Sequence, residues 1–301
     1  SVQAILNQNY SGQLEIILAL GPSKDQTNVI AQELAKDQRI KLVENPSGRT
    51  ASALNNAIKN SNFDIIVRLD GHAIVDSNYI KNAVKTLVES GADNVGGLMK
   101  AEGTNVFEKS VAAAMTSKFG VGNAPFHVGG KSGEVDTVYL GTFRKSALER
   151  VGYFDESFIR AQDWEMNYRI RKTGGKIWFN PELVVSYRPR KNILQLAKQY
   201  FEYGRWRRVV SRKHSGTINY RYLAPPFALI GFSASLILGI ALSSIFFIPA
   251  LVYLLFVVLA SLKISTSIGE YLLLLVVIPT MHFAWGAGFI SSPKTLVPAS
   301  Q

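Results

Sequence analysis

The stretch Ile65-Ile66-Val67-Arg68-Leu69-Asp70-Gly71-His72 decides how the first half of this chain folds. It opens with an apolar run interrupted only by Arg68, then gives an acid, a glycine and a histidine. A short run without polar alternation reads as a strand covered on both faces, with Asp70 at its carboxyl end. The surrounding sequence repeats the theme. Leu14–Leu20 is another apolar run, closed by the turn Gly21-Pro22-Ser23. Thr27–Lys36 has helical spacing through Val29, Ile30 and Leu34, and Ile40–Val43 reads as a strand. Thr50–Lys59 and Tyr79–Ser90 again show helical spacing. The alternation predicts an α/β domain, with a mostly parallel sheet covered by helices on both faces. Ligands of such sheets bind at the carboxyl ends of the strands, where Asp70 stands.

The charge is distributed unevenly. Of the net +11, residues 1–187 carry +1, residues 188–221 carry +9, and residues 222–301 carry +1. The basic block abuts Leu223–Leu242, Ile245–Leu262 and Tyr271–Phe289. Each is an apolar run of about 18 residues or more, near the length that spans a bilayer. A basic patch can mark a nucleic-acid surface. Beside bilayer-length segments it points instead to an anionic membrane face, so membrane lipid is an expected partner and nucleic acid is not. Asn192–Lys213 is amphipathic, with Ile193, Leu196, Tyr200, Tyr203, Trp206 and Val210 on one face and Lys198, Arg205, Arg208 and Arg212 opposite. That pattern suits a helix lying at a membrane surface, or an ordinary helix packed on the domain.

The expected organisation is a catalytic domain over 1–190, a basic interfacial helix over 191–221 and about three transmembrane helices over 222–292. Two spans is the alternative, because Ser243-Ser244 is a very short turn. The basic block places the catalytic domain on the cytoplasmic side of the cell membrane, in a multi-pass protein. Ser1–Gln13 carries no secretory-signal pattern. The chain has no cysteine, which excludes disulfides, thiolate metal sites and a cysteine nucleophile.

Candidate chemistry starts at Asp70. A carboxylate is a natural ligand for a hard divalent cation, and His72 is a possible second ligand that favours Mn2+ over Mg2+ somewhat. Such a cation stabilises charge growing on a leaving phosphate oxygen. Alone, a strand followed by Asp-x-His is equally a loop with a capping carboxylate. Asp163 and Glu165 precede a helical stretch that ends near Gly174-Gly175. The helix dipole favours a carboxylate there, and in a cleft it can take a proton from a hydroxyl. Arg169 lies one turn after Glu165 and can pair with it. Two loops opening helices, Gly21–Thr27 and Asn45–Thr50, are candidate phosphate sites, with Arg49 able to grip a diphosphate. Each is equally a turn with a helix cap.

Together these segments resemble family 2 glycosyltransferases of the GT-A fold, a Rossmann-like nucleotide-diphospho-sugar transferase fold, and the bacterial succinoglycan-biosynthesis type in particular. The resemblance spans roughly residues 1–220 and the multi-span tail. It implies inverting, metal-dependent transfer of a sugar from a nucleotide-sugar donor to a glycan or lipid-linked acceptor in cell-surface or exopolysaccharide synthesis, with Mn2+ or Mg2+ as cofactor. The family's Asp-x-Asp motif matches at Asp70, with His72 in the second place. Its catalytic Asp matches Asp163, after Gln162 where the family has Glu, and the following Arg matches Arg169. The Gly-Ser-x-Asp-x-Thr loop is similar to Gly21–Thr27, placing Ser23 and Asp25 near the donor, although Leu20 stands where an acid is usual. The Asn-x-Gly-x-x-x-Ala-x-Asn pattern is echoed by Asn45–Asn55, making Arg49 and Asn55 donor-side candidates. Asp136–Thr142 resembles the acceptor-side loop, which nominates Asp136 and Thr137. Arg205 and Trp206 match the end of the Gln-x-x-Arg-Trp signature of processive members; the Gln is absent.

The family opens with a strand and a Pro-x-x-Asn-Glu segment, and neither is present here. Ser1–Tyr10 resembles the helix that follows them. The resemblance therefore implies a strand missing near the sheet centre and weak or absent activity for these residues alone. Two rival readings stand beside it. One is a non-catalytic membrane protein binding a nucleotide or anionic lipid. The other is a glycosyltransferase whose acceptor is a polyprenyl phosphate.

Overall fold

The structure is a computed structural model that describes residues 2–296. The chain forms two compact units, one made of the chain to Met99 plus Gly129–Ser186, the other of Lys100–Val128 and the chain from Tyr187 onward.

In chain order the elements begin α1 (Val2–Leu6), β1 (Ile16–Leu20), α2 (Thr27–Leu34), β2 (Ile40–Glu44), α3 (Thr50–Lys59) and β3 (Ile65–Val67). Next come β4 (Ile74–Val75), α4 (Tyr79–Ser90), β5 (Asn94–Ala101), α5 (Val106–Met115), α6 (Lys118–Val121) and α7 (Pro125–Val128). Then follow β6 (Gly133–Glu134), β7 (Tyr139–Arg144), α8 (Lys145–Arg150), α9 (Gln162–Lys172) and β8 (Ile177–Tyr187). Four long helices complete the chain: α10 (Ile193–Lys213), α11 (Tyr220–Ala241), α12 (Ile248–Ile264) and α13 (Ile268–Ser291).

The first unit holds the strand–helix alternation. β1 and β2 pair in parallel, Ile16 opposite Ile40. A second sheet has the order β3-β7-β5-β8-β4, with β6 also on β8. The ladders β3–β7, β5–β7, β4–β8 and β6–β8 are all antiparallel. The expectation of a mostly parallel sheet is therefore corrected: the sheets are mixed. Helical crossovers enforce parallel pairing only between the strands they join. β7 enters between β3 and β5 through a long connection, which leaves its direction unconstrained by any such crossover.

The core of this unit sits beneath α4. Tyr79, Ile80, Ala83 and Leu87 step along one helix face and pack with Val95, Leu140, Leu183 and Val185. Leu87 and Leu183 are fully buried, each worth about 2 kcal/mol of transfer free energy. Gly91, in the left-handed conformation, ends α4.

The second unit is helical. Asn192 caps α10 by accepting from the Gln195 N–H at 3.0 Å, and Ser267 caps α13 by accepting from Glu270 N–H at 3.2 Å. Tyr220–Ala241, Ser244–Ile264 and Ile268–Ser291 are three helices long and apolar enough to cross a membrane. Pro249 sits in the first turn of α12, where its missing N–H costs nothing. The apolar face of α10 does not lie free for lipid as a surface helix would. Leu196, Tyr200, Trp206 and Val210 are buried, and α10 packs closely on α13. Two glycines permit that approach. A Cβ on Gly204 would collide with the Trp285 carbonyl, and one on Gly288 with the Phe201 carbonyl.

Candidate active site

The site grows from the end of β3. Ile65–Val67 pairs with β7, and the Arg68 N–H extends the pairing by donating to the Gly141 carbonyl. The chain then turns sharply, Ala73 N–H donating to the Asp70 carbonyl at 2.8 Å, with Gly71 and His72 at the bend. Asp70 is thereby held at the strand end and His72 is exposed.

Arg68 is the unexpected centre of this region. It is only 8% exposed. A guanidinium taken out of water needs charged partners. It finds two: Nη2 lies 3.2 Å from Asp70 Oδ1, and Nη1 donates to Asp163 Oδ1. Burial alone would lower the pKa of Arg68, but Asp163 and Asp70 outweigh it and hold the group above its ordinary value. The carboxylates remain about a third exposed, at 33% and 37%. One buried cation thus gathers two acids from distant parts of the chain and leaves both open to solvent.

Asp163 is presented by the first turn of α9. Ala161, just before it, has φ 60°, a left-handed conformation that strains a residue with a side chain. Two further networks fix α9. The Glu165 carboxylate is buried and receives Arg169 through Nε at 2.8 Å and Nη2 at 2.7 Å. Arg169 also donates to the carbonyls of Val151 and Tyr153. Asn94 Nδ2 donates to Asn167 Oδ1, and Asn167 Nδ2 to Thr137 Oγ1, at 2.7 and 2.8 Å. Arg171 pairs with Asp136 at 3.2 Å. Asp136 and Thr137 are therefore tied to the helix that carries Asp163.

The other candidates are placed differently. Ser23, Thr27 N–H and Thr27 Oγ1 all donate to Asp25 Oδ1. The Ser23 and Thr27 bonds hold this exposed carboxyl down to about 2. Locally, then, Asp25 fixes the entry to α2. Arg49 precedes α3, exposed, its N–H donating to Ser47 Oγ. Asn55 is buried and clamps another loop: Nδ2 donates to the Phe154 carbonyl and Glu156, and Oδ1 accepts from Phe154 N–H. Its amide is engaged on both sides and holds α3 against that loop. Arg205 and Trp206 lie in the other unit, both bonded to Glu202.

Residues 1–207 match the family described as "Glycosyltransferase like family 2". The chain belongs to this family. The family 2 glycosyltransferase is 32% identical over 225 residues to the succinoglycan biosynthesis protein ExoA of Rhizobium meliloti (strain 1021), covering 73% of this chain and 68% of that one. It is 30% identical over 229 residues to a dolichyl N-acetyl-alpha-D-glucosaminyl phosphate 3-beta-D-2,3-diacetamido-2,3-dideoxy-beta-D-glucuronosyltransferase of Methanococcus voltae, covering 73% and 70%. The fold is that of the GT-A enzymes. A mannosyltransferase from Pyrobaculum calidifontis, solved with GDP-Man and Mn2+, superposes with a TM-score of 0.67 at 20% identity, over 97% of this chain and 81% of that one.

For a divalent cation, the donor set of the glycosyltransferase is sparse. Among the described residues no three His, Asp or Glu side chains cluster as a metal cage. Small hard cations are commonly held by one or two carboxylates and the phosphates of the substrate. Asp70, half open at a strand end with exposed His72 beside it, fits that kind of shared site.

Proposed function

We propose that this glycosyltransferase transfers a sugar from a nucleotide-diphosphate donor by a single inverting displacement, with Asp163 as the base. The observation that carries the reading is the shared guanidinium: Arg68 brings Asp70 and Asp163 to one place. An inverting transfer needs a base on the attacking side and charge control on the leaving side, and these two acids supply one each. Arg68 occupies Asp163 Oδ1 and leaves Oδ2 to accept the proton of an acceptor hydroxyl. The hydroxyl oxygen bonds to the anomeric carbon as the bond to the diphosphate breaks, and the nucleoside diphosphate leaves with that electron pair. Asp70, with His72 as a second ligand, would hold the divalent cation, which when bound neutralises charge on the departing diphosphate. Arg49, exposed at the start of α3, adds a cation for the phosphates, and the Ser23–Asp25 loop lies on the donor side. Asp136 and Thr137 serve the acceptor side. Glu165 and Arg169 position the base helix; Arg205 and Trp206 support the chain beyond residue 190.

The acceptor is a glycan or a lipid-linked sugar at the membrane. The names of the two relatives, one in succinoglycan synthesis and one acting on a dolichyl-phosphate sugar, support that choice. The domain over 1–190 faces the cytoplasm, the basic stretch 191–221 meets the anionic lipid face, and 222–292 anchors a multi-pass protein in the cell membrane.

A donor screen on membranes carrying the full-length protein tests the reading. An α-linked nucleotide sugar yields a β-glycoside by proton NMR, and chelation abolishes donor binding. Retained anomeric configuration, or donor binding indifferent to chelator, contradicts it.

A further inference from the structure

The three bilayer-length helices of the second unit differ in what surrounds them. α11 and α12 form a hairpin. Ser235 Oγ donates to the Phe246 carbonyl and accepts from Ala250 N–H at 3.0 Å, and a Cβ on Gly239 would meet the Phe247 ring. Away from that seam both helices expose apolar side chains along their length, among them Phe227, Ile237, Ile240, Leu251, Val252 and Leu255. α13 is instead covered on one face from end to end. At its start, a Cβ on Gly269 would meet Val106 of α5. In its middle, His282 Nε2 lies 2.9 Å from the Phe119 carbonyl of α6. Towards its end it meets α10 through Gly288 and Gly204, and Ser292 Oγ donates to the Arg205 carbonyl at 3.0 Å. Leu274, Val277, Ile278 and Met281 are fully buried as a result.

The opposite face of α13 is an apolar strip at helical spacing. Ile268, Leu272, Val276 and Ile290 are exposed on it. The hairpin joins the same strip. A Cβ on Gly286 would press on the Pro225 carbonyl of α11, and the Phe232 and Tyr253 rings pack on Phe283. Cations accompany α13 along its whole length. Lys109 acts on Glu270 in the first turn. Beside the middle, exposed Lys118 precedes Phe119, and the Lys263 ammonium lies 5.6 Å from the Phe119 ring. A cavity of about 550 Å³ opens there, lined by Thr116, Ser117, Lys118 and Lys263. At the end, the Arg208 guanidinium lies 5.0 Å from the Phe289 ring, and Arg212 Nη1 donates to the Ser292 carbonyl at 2.9 Å. A helix that crosses a bilayer brings only its ends to the headgroups. If α13 crossed, the lysines beside its middle would lie in hydrocarbon, where such charges are costly and rare.

We propose that α13 does not cross the bilayer but lies along one leaflet, and that the α11–α12 hairpin alone spans it. The strip from Ile268 to Ile290 rests on the acyl chains, and the lysines and arginines beside α13 meet anionic headgroups. α13 thus takes the interfacial place that the sequence pattern offered to α10, which packs on its other face. Its apolar composition has two causes, neighbouring helices on one side and lipid on the other. Length and hydropathy alone do not separate such a helix from a span.

The chain has no cysteine, so single introduced cysteines report without background. Lys198→Cys in α10, Ser243→Cys at the hairpin tip and Lys294→Cys beyond α13 replace exposed residues. Each is treated with a membrane-impermeant maleimide in sealed right-side-out and inverted vesicles carrying the full-length protein. Positions 198 and 294 label from one side and position 243 from the other. Labelling of 294 from the same side as 243 overturns the proposal. A second measurement reads depth along the helix, from nitroxides on cysteines at Ile268, Leu272, Val276, Thr280 and Ile290 and their collisions with oxygen and a nickel chelate. All five lie at one shallow depth, about 5–10 Å into the leaflet. A deep reading at Thr280, about 15 Å from the headgroups, between shallow ends at Ile268 and Ile290 overturns the proposal as well. Neither measurement depends on glycosyl transfer or on which side is cytoplasmic, so the topology and the reaction stand or fall separately.

Discussion

Arg68 reaches Asp163 across 95 residues of sequence, and the same guanidinium lies 3.2 Å from Asp70. The pairing makes a buried strand-end arginine the joint between the proposed leaving-group and base sides of the reaction. Arg68→Met removes the cation while keeping an unbranched side chain. Two carboxylates are then left together without the charge that offsets their repulsion, and their spacing relaxes. In the full-length enzyme kcat falls about 100-fold, the scale of a misplaced catalytic group, with a smaller change in donor KM. Arg68→Lys recovers part of the loss. An unchanged kcat in Arg68→Met removes Arg68 from the mechanism.

Glu165 and Arg169 hold α9, the helix that carries Asp163, from behind. Arg169→Ala leaves a fully buried carboxylate without its guanidinium, which costs about 3–5 kcal/mol. Thermal unfolding in detergent shows a large drop in midpoint. The double variant Glu165→Gln with Arg169→Met unfolds closer to the parent, since no buried charge is left behind. A parent-like midpoint for Arg169→Ala contradicts the role assigned to the pair.

The Asp25 carboxyl gives a pH signature. Its pKa in the folded chain is lowered to about 2 by Ser23 and Thr27. A group depressed on folding stabilises the folded state above its unfolded pKa, and the contribution is lost as pH falls through the folded value. Exchange of the Thr27 amide, which donates to Asp25, therefore quickens as pH drops from the ordinary aspartate range towards about 2, beyond the intrinsic pH effect. In Asp25→Asn that extra dependence disappears. A parent profile in the variant rules the loop bonds out as its cause.

The α10–α13 crossing depends on glycine. Gly204→Val forces a side chain into the Trp285 backbone, which cannot give way as a flexible side chain would. Overpacking of this kind costs about 1–3 kcal/mol or more. Gly231, in α11, has open space around it, so Gly231→Ala is neutral or stabilises by up to about 1 kcal/mol. Equal unfolding midpoints for the two variants would mean that the helices do not cross as closely as described.

Much of this was legible in residue order. α3 and α4 occupy the residues that helical spacing indicated, and the three apolar runs became the three bilayer-length helices. Spacing reports which face of an element is apolar, so it worked where one face meets one core. It could not give the direction of β7, which depends on a long connection rather than on local pattern. Nor could it say what covers α10, since lipid and α13 ask for the same side chains. Arg68 was visible as the one charge in an apolar strand. A buried arginine demands partners, and that signal pointed to a site without naming Asp163, because pairing over such a distance leaves no trace in spacing. Nor did the motif around Asn55 reveal that its amide holds the loop at Phe154.

The most direct measurement is the separation of binding from turnover at Asp163. Asp163→Asn keeps the shape and the hydrogen-bonding oxygen but removes the proton acceptor. In membranes carrying the full-length protein, radiolabelled sugar transfer by this variant drops roughly 100- to 10,000-fold, the range for loss of a general base, while metal-dependent binding of the nucleotide-sugar donor stays near the parent value. Transfer at the parent rate with donor binding intact would contradict the assignment of Asp163 as the base and favour a phosphate acceptor that needs no deprotonation.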